Sequence, residues 1–158
     1  MDETVKKEAL RLFTYGLYAV TTGDENEWNA FTANWLSQVS FDPPLVALSV
    51  ENETTSLPMI RRTRRFAVNV YAAEQRDLAG RLGKPYRRSP DKLEGLRVER
   101  TEHGCPVLPD TLAYVECEVE REMPAGDSTL VLGRVVGAGV FRRDEPLTMR
   151  AAGFKHAG

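Results

Sequence analysis

The sequence lacks the residues and motifs on which most catalytic sites are built. Cys105 and Cys117 are its two cysteines, and their spacing matches no zinc site and no CxxC redox motif. It has no G-x-x-x-x-G-K-[ST] phosphate loop, no G-x-G-x-x-G after a strand, no H-E-x-x-H and no G-x-S-x-G. His103 and His156 are the two histidines and lie far apart in sequence, which disfavours a zinc or Ser-His-Asp hydrolase. We therefore expect no metal and assign no catalytic side chain.

A basic excess and long apolar runs are also missing. The 158 residues contain 21 Lys and Arg against 23 Asp and Glu, a formal net charge of −2, whereas nucleic-acid binders usually carry a basic excess. Apolar runs such as residues 45–50 fall far short of the ~18 residues that a spanning helix needs, and no signal-peptide apolar region begins the sequence. We expect one cytoplasmic domain over residues 1–158 that binds neither nucleic acid nor a membrane.

The hydrophobic periodicity predicts a mainly β protein. One apolar face in residues 5–13 indicates an N-terminal helix, and two more short helices are expected within residues 54–65 and 74–82. The predicted strands are residues 17–22, 31–41 with one apolar face, 45–50 buried on both faces, 66–71, 113–120 and 128–142. Because regular crossover helices are missing, a parallel βαβ sheet is excluded. Gly133, Gly137 and Gly139 in the last strand indicate a sharp bend or a close backbone approach, as at a barrel corner.

Hydroxyl and amide side chains accompany several of these apolar strands. They are Thr32, Asn34, Ser37, Ser40, Ser49, Thr54, Thr55, Ser56 and Asn69. A polar group left without a hydrogen bond beside a core costs about 1–3 kcal/mol, so each needs a partner. Either a bound polar ligand or the neighbouring backbone and water can supply these partners.

Two cationic segments allow two interpretations each. Residues 61–65 hold four arginines in five positions, and Lys84, Arg87 and Arg88 form a looser group farther along the chain. Such runs are usually solvated faces. Guanidinium groups close to hydroxyl donors also suit a phosphate, so each segment is a candidate anion site.

Several segments together resemble one known family. Residues 13–22, the T-A pair at 32–33, the V-S-F-D-P-P-L-V run at 39–46, and residues 66–70, 125–129 and 133–136 are similar to the flavin reductase-like family. This family comprises FMN-binding split-barrel proteins and includes flavoredoxins. The resemblance implies a mainly β, Greek-key split β-barrel with two or three short helices. It also implies a homodimer with one FMN, or FAD, per subunit near the interface.

The resemblance assigns cofactor-binding roles by position. Thr32, Ala33, Asn34 and Trp35 would run along the isoalloxazine and the ribityl chain, Ser49 and Val50 would lie beneath the cofactor, Thr54 and Ser56 would bind the phosphate, and Asn69 would pack or hydrogen-bond near the site.

The activity that the resemblance implies is that of an NAD(P)H-dependent flavin reductase. Such an enzyme passes electrons from NADH or NADPH through FMN to free flavin, a partner oxygenase or another acceptor. Two departures keep an alternative open, a flavoredoxin-like electron carrier or flavin-binding module without NAD(P)H turnover. Ser128 stands where many members have histidine, and Trp35 stands where many have a small residue. Trp35 could cover the flavin, narrow the nicotinamide slot or pack in the core. A third possibility is a structural or stress protein that kept the barrel and lost the flavin.

Overall fold

Nine strands and four short α-helices make up residues 1–156, the part of the chain that the computed structural model describes. The strands are β1 Tyr18–Gly23, β2 Trp28–Ala33, β3 Leu36–Ser40, β4 Leu45–Glu51, β5 Arg65–Val70, β6 Glu99–Arg100, β7 Pro106–Val107, β8 Ala113–Ala125 and β9 Ser128–Val140. The helices are α1 Glu3–Arg11, α2 Ser56–Thr63, α3 Arg76–Leu82 and α4 Met149–Ala152, with a 3₁₀ turn at Pro90–Leu93. The predicted mainly β class is confirmed. The helix that the sequence did not indicate is α4, which has a single turn.

None of the helices within residues 1–156 has the length and apolar character needed to cross a bilayer.

Seven strands form one antiparallel sheet in the order β2-β1-β5-β8-β9-β4-β3, and β6 pairs with β7 separately. The two edge strands, β2 and β3, are consecutive in sequence and are joined by Asn34 and Trp35 alone. An extended chain covers at most about 11 Å between Ala33 and Leu36, so the two edges of the sheet must face each other. The sheet is therefore rolled into a split-barrel-like shape, open between β2 and β3.

This opening corrects the prediction of one continuous strand over residues 31–41. Ala33 pairs with Tyr18 of β1, whereas Leu36 pairs with Leu48 of β4, at the other edge of the sheet. In the second half the apolar positions Val39 and Phe41 are exposed, so the alternation there does not mark a face that is buried within this chain. The pairing partners change at Asn34, and periodicity alone carries no information on pairing.

Strand β4 was predicted to be buried on both faces, and this was wrong. Val46, Leu48 and Val50 are buried, while Leu45, Ala47 and Ser49 are only partly covered. The buried side joins the main core with Phe66 of β5 and residues of α2, β8 and β9. The face of β4 that carries Ser49 remains partly open because Ser49 lines a cavity.

Helix α1 forms where the sequence predicted a helix, but it does not pack on the sheet. The Asp2 carboxylate accepts hydrogen bonds from the backbone amides of Thr4 and Val5, a normal N-cap. No α1 side chain is buried, and the apolar side chains Leu12 and Phe13 beyond its end are exposed. The apolar face of this segment is thus available to a ligand or a partner.

Candidate functional site

A cavity of about 1010 Å³ lies beside the opening between β2 and β3. Its walls come from the β2–β3 connection, the start of α2, the loop after α3 and the C-terminal residues. Seven of the nine residues predicted to bind a cofactor line it, namely Thr32, Ala33, Asn34, Trp35, Ser49, Thr54 and Ser56. The fold thus brings together three separate segments that the sequence analysis had singled out.

Val50 and Asn69 were also predicted to lie near the cofactor, but neither of them lines this cavity. Val50 points into the core, on the opposite face of β4 from Ser49. The Asn69 amide nitrogen donates to the carbonyl oxygen of Ala19 at 2.8 Å and to Thr21 Oγ1 at 3.0 Å. Asn69 Oδ1 accepts from the Leu108 amide at 2.9 Å. This asparagine satisfies its hydrogen bonds inside the protein and ties β1 and β5 to the segment around Leu108.

The N-terminus of α2 opens onto one end of the cavity. Thr54 Oγ1 accepts a hydrogen bond from the Leu57 amide at 3.3 Å, and Ser56 Oγ accepts one from Asn29 Nδ2 at 2.9 Å. Thr55 is the N-cap residue, and within residues 1–156 its side chain makes no capping hydrogen bond. A helix N-terminus carries partial positive charge and unpaired amide groups, so this end of the cavity suits an anion.

Three cations line the cavity on the loop that follows α3. They are Lys84, Arg87 and Arg88, and in the described part of the chain none of them lies within ion-pair distance of a carboxylate. Glu51 and Glu53 also border the cavity, so the charge there is mixed. The exposed loop cations and the α2 N-terminus form an anion-binding arrangement.

The arginines of residues 61–65 lie elsewhere. Arg61 pairs with Glu122 at 2.9 Å, Arg62 pairs with Asp24 at 3.3 Å, and neither lines the cavity. The interpretation as a solvated, ion-paired face therefore applies to Arg61 and Arg62, whereas Lys84, Arg87 and Arg88 remain the candidate anion site.

Lys92 anchors the start of the loop that carries Lys84, Arg87 and Arg88. Its side chain is buried, and Nζ donates to the carbonyl oxygens of Leu82 and Lys84, at 2.9 Å each. Burial lowers the pKa of this amine to about 8. The two acceptors lie at the end of α3 and just beyond it, so Lys92 fixes the point at which the loop leaves the helix. Nothing in the local sequence distinguishes Lys92 from a surface lysine.

The cavity is also bordered by C-terminal residues that the sequence analysis missed. The Trp35 and His156 rings pack with centroids 5.0 Å apart, and Asn34 Nδ2 donates to Met149 Sδ at 3.3 Å. His156 Nε2 lies 3.7 Å from Glu51 Oε1, which also borders the cavity. His156 was assigned no role because it lies more than 100 residues from Trp35 and Glu51 in sequence, and only the fold brings it there.

Polar groups line the middle of the cavity. Thr32 Oγ1 donates to the Ala79 carbonyl oxygen at 2.6 Å and shares a hydrogen bond of 2.8 Å with the Tyr71 hydroxyl, whose pKa is raised by burial. Asn29 Oδ1 is buried and has no hydrogen-bond partner among the described residues. A buried acceptor without a donor costs free energy unless a ligand or water supplies one.

The donor set fits FMN. A phosphate matches the cations and the helix N-terminus, and a planar ring matches the aromatic side chain of Trp35 in the cavity wall.

Comparison with known proteins also supports a flavin-binding protein. A family model described as "Flavin reductase like domain" matches residues 10–158. The chain is 34% identical over 143 residues to a high molecular weight rubredoxin of Moorella thermoacetica, covering 89% of this chain and 62% of that protein. It is 32% identical over 148 residues to the FMN reductase (NADH) SmoA of Agrobacterium fabrum, covering 94% and 82% of the two chains.

A solved structure with a similar fold is nitrilotriacetate monooxygenase component B from Mycobacterium thermoresistibile. The TM-score is 0.82 at 28% identity, over 92% of this chain and 80% of that one. The shared fold and the matched family model cover the strands and loops that build the cavity.

Proposed function

The chain belongs to the flavin reductase-like family, and from that premise we propose that residues 1–158 form a single FMN-binding domain with NAD(P)H-dependent flavin reductase activity. The observation that carries this proposal is one cavity lined by the start of α2, by the cations Lys84, Arg87 and Arg88, and by the ring of Trp35. The rubredoxin relative extends well beyond the matched region, since the chain spans 62% of its length.

In this proposal the chain positions the cofactor by its two ends. Thr54, Ser56 and the α2 amides bind the phosphate together with the loop cations, because charge-assisted hydrogen bonds are the strongest available there. Thr32, Ala33, Asn34 and Trp35 border the ring, and Ser49 lies under it.

Bound FMN supplies the redox chemistry, since it accepts a hydride from a nicotinamide and passes electrons onward. The protein therefore needs no general acid or base, in agreement with a sequence that offers no catalytic constellation. Its residues orient the flavin and shield one part of it. Trp35 takes part in this shielding, because its ring packs at a tilt against His156 and both residues line the cavity. Ser128 is buried and lies outside the cavity wall of its own chain.

The experiment that tests this function is anaerobic mixing of the FMN-loaded protein with NADH or NADPH, followed at the flavin absorbance band. Prompt bleaching with either nucleotide supports the reductase. A protein that binds FMN but is not bleached by either nucleotide is the flavoredoxin-like carrier or binding module instead. A protein with no measurable FMN affinity contradicts both functions and leaves a structural barrel.

We also propose that the electron acceptor is free flavin used by a partner oxygenase. The relative from Mycobacterium thermoresistibile is one component of a monooxygenase. A cytoplasmic location is proposed with it, supported by two buried cysteines that are free thiols.

The homodimer is proposed to form at the edge strand β3. Val39 is 54% exposed and Phe41, directly after the strand, is 92% exposed. An unpaired strand edge carrying exposed apolar side chains is a ready interface. Because Trp35 precedes this strand and lines the cavity, a partner on this edge lies next to the site.

We expect Phe41→Ser to shift the protein from dimer toward monomer, because it removes a large apolar side chain from that edge. Size-exclusion chromatography with light scattering at several concentrations measures the shift. Met123, which is 53% exposed near the end of β8, provides the matched control, and Met123→Ser is expected to leave the mass unchanged. Equal behaviour of the two variants would exclude β3 as the interface.

A further inference from the structure

A second cavity, of about 580 Å³, adjoins the first one. It lies between residues 10–16, which follow from the end of α1, and residues 148–156 around α4. The two cavities share part of their walls, because both are bordered by Met149, Phe154, Lys155 and His156. A ligand in the second cavity is therefore adjacent to the ring end of a flavin placed as proposed above.

The wall of this second cavity combines aromatic side chains with cations. Phe13, Tyr15 and Phe154 supply aromatic surface, and Arg11, Arg150 and Lys155 supply positive charge. The wall contains no Asp or Glu. The three cations are exposed, and across residues 1–156 no carboxylate lies within ion-pair distance of any of them. We call this feature the cationic pocket.

Unpaired cations beside aromatic surface suit a ligand that has both planar rings and phosphate groups. Both nicotinamide dinucleotides meet that description, and they differ by the 2′-phosphate of the adenosine ribose. Sites for NAD commonly present an acidic side chain to the free 2′-hydroxyl, whereas sites for NADP present arginine to the phosphate. The cationic pocket has the second chemistry and lacks the first.

We propose that the cationic pocket binds the 2′-phosphate-bearing adenosine end of NADPH and makes NADPH the preferred hydride donor of this protein. This inference rests on the proposed reductase function. Arg11, Arg150 and Lys155 act as specificity-determining residues, while Phe13 and Tyr15 offer their rings to the adenine. Because the pocket and the flavin cavity share a wall, a nucleotide anchored there can extend its nicotinamide toward the flavin.

A binding experiment tests the pocket without any turnover. Adenosine 2′,5′-bisphosphate and AMP are titrated separately into the FMN-loaded protein by isothermal calorimetry. We expect the bisphosphate to bind at least about tenfold more tightly than AMP. This ratio corresponds to ~1.4 kcal/mol from one additional contact between a phosphate and a cationic side chain. Arg150→Ala should reduce this advantage several-fold. The matched control is Arg143→Ala, since Arg143 is an exposed arginine outside the pocket. Equal affinity for the two probes, or equal effects of the two variants, would overturn the proposal.

A kinetic experiment separates this inference from the function on which it rests. The ratio of kcat/KM for NADPH to that for NADH is expected to exceed ten in the native protein, to fall in Arg150→Ala and to stay the same in Arg143→Ala. Reduction by both nucleotides at similar kcat/KM, or a preference for NADH, rejects the specificity while leaving the reductase intact. Reduction by neither nucleotide rejects the reductase, and the calorimetric comparison then still decides whether the pocket recognises a 2′-phosphate.

Discussion

Replacing Arg87 and Arg88 together with alanine is expected to weaken FMN binding about 30-fold. Both side chains are exposed and line the same cavity as the start of α2. Each exposed charge contact to a phosphate contributes about 1 kcal/mol, near the upper end for such pairs, so two together contribute about 2 kcal/mol. Fluorescence titration of the apoprotein with FMN measures the loss. Riboflavin, which has no phosphate, should bind the variant and the native protein equally.

The sequence supplies a matched control for this variant. Arg61 and Arg62 are also adjacent arginines, but they pair with Glu122 and Asp24 away from the cavity. The Arg61→Ala, Arg62→Ala protein loses the same two charges and should keep its FMN affinity within about twofold. If both double variants lost affinity equally, the effect would come from net charge, and the assignment of the loop cations to the phosphate would be wrong.

Gly133→Ala is expected to destabilise the protein by about 1–3 kcal/mol. A Cβ at this position of β9 would lie 2.7 Å from Phe66 Cζ and 2.8 Å from Cys117 Cβ, and both neighbours belong to the main core. Over-packing a well-packed interior forces side chains and backbone to shift at that cost. Thermal unfolding should show a Tm lower by roughly 3–10 °C for a domain of this size.

Gly137 in the same strand is the control. The nearest atom to its added Cβ would be Glu116 Cβ at 3.7 Å, an ordinary contact. Gly137→Ala should leave the Tm nearly unchanged, since the methyl group has room and alanine restricts the unfolded chain more than glycine does. A loss of stability at Gly137 as large as at Gly133 would mean that a general property of β9, rather than the contact with Phe66, requires glycine.

The two glycines also show how a sequence pattern can leave two physical explanations open. The glycines in the last strand indicated either a bend or a close approach, and the structure contains both. Gly133 allows the close approach of the Phe66 ring. Near Gly137 the register between β8 and β9 shifts, since Glu116 pairs with Gly137 and Cys117 with Val135, leaving Val136 as an extra residue in a bulge. The choice depends on neighbours from other strands, which local composition does not contain.

Some residues of the candidate site were recognisable from the local sequence, and others were placed there only by the fold. Hydroxyl residues at Thr32, Ser49, Thr54 and Ser56 were recognisable because polar side chains among apolar strand residues need partners, and all four line the cavity. Asn69 shared that pattern but finds its partners inside the core. His156 and Lys92 carried no local pattern at all.

What the sequence by itself determined is the mainly β class, most of the strands and the presence of a polar ligand site. These depend on the alternation of side chains along one strand and on the family motifs, both of which are local. Only the tertiary structure decided that residues 31–41 split between two edges of the sheet. It also decided that Arg87 and Arg88, rather than Arg61 and Arg62, line the cavity, and that the C-terminal residues border it. Two arginine pairs have the same local chemistry, and their roles differ because of the charges that the fold places opposite them.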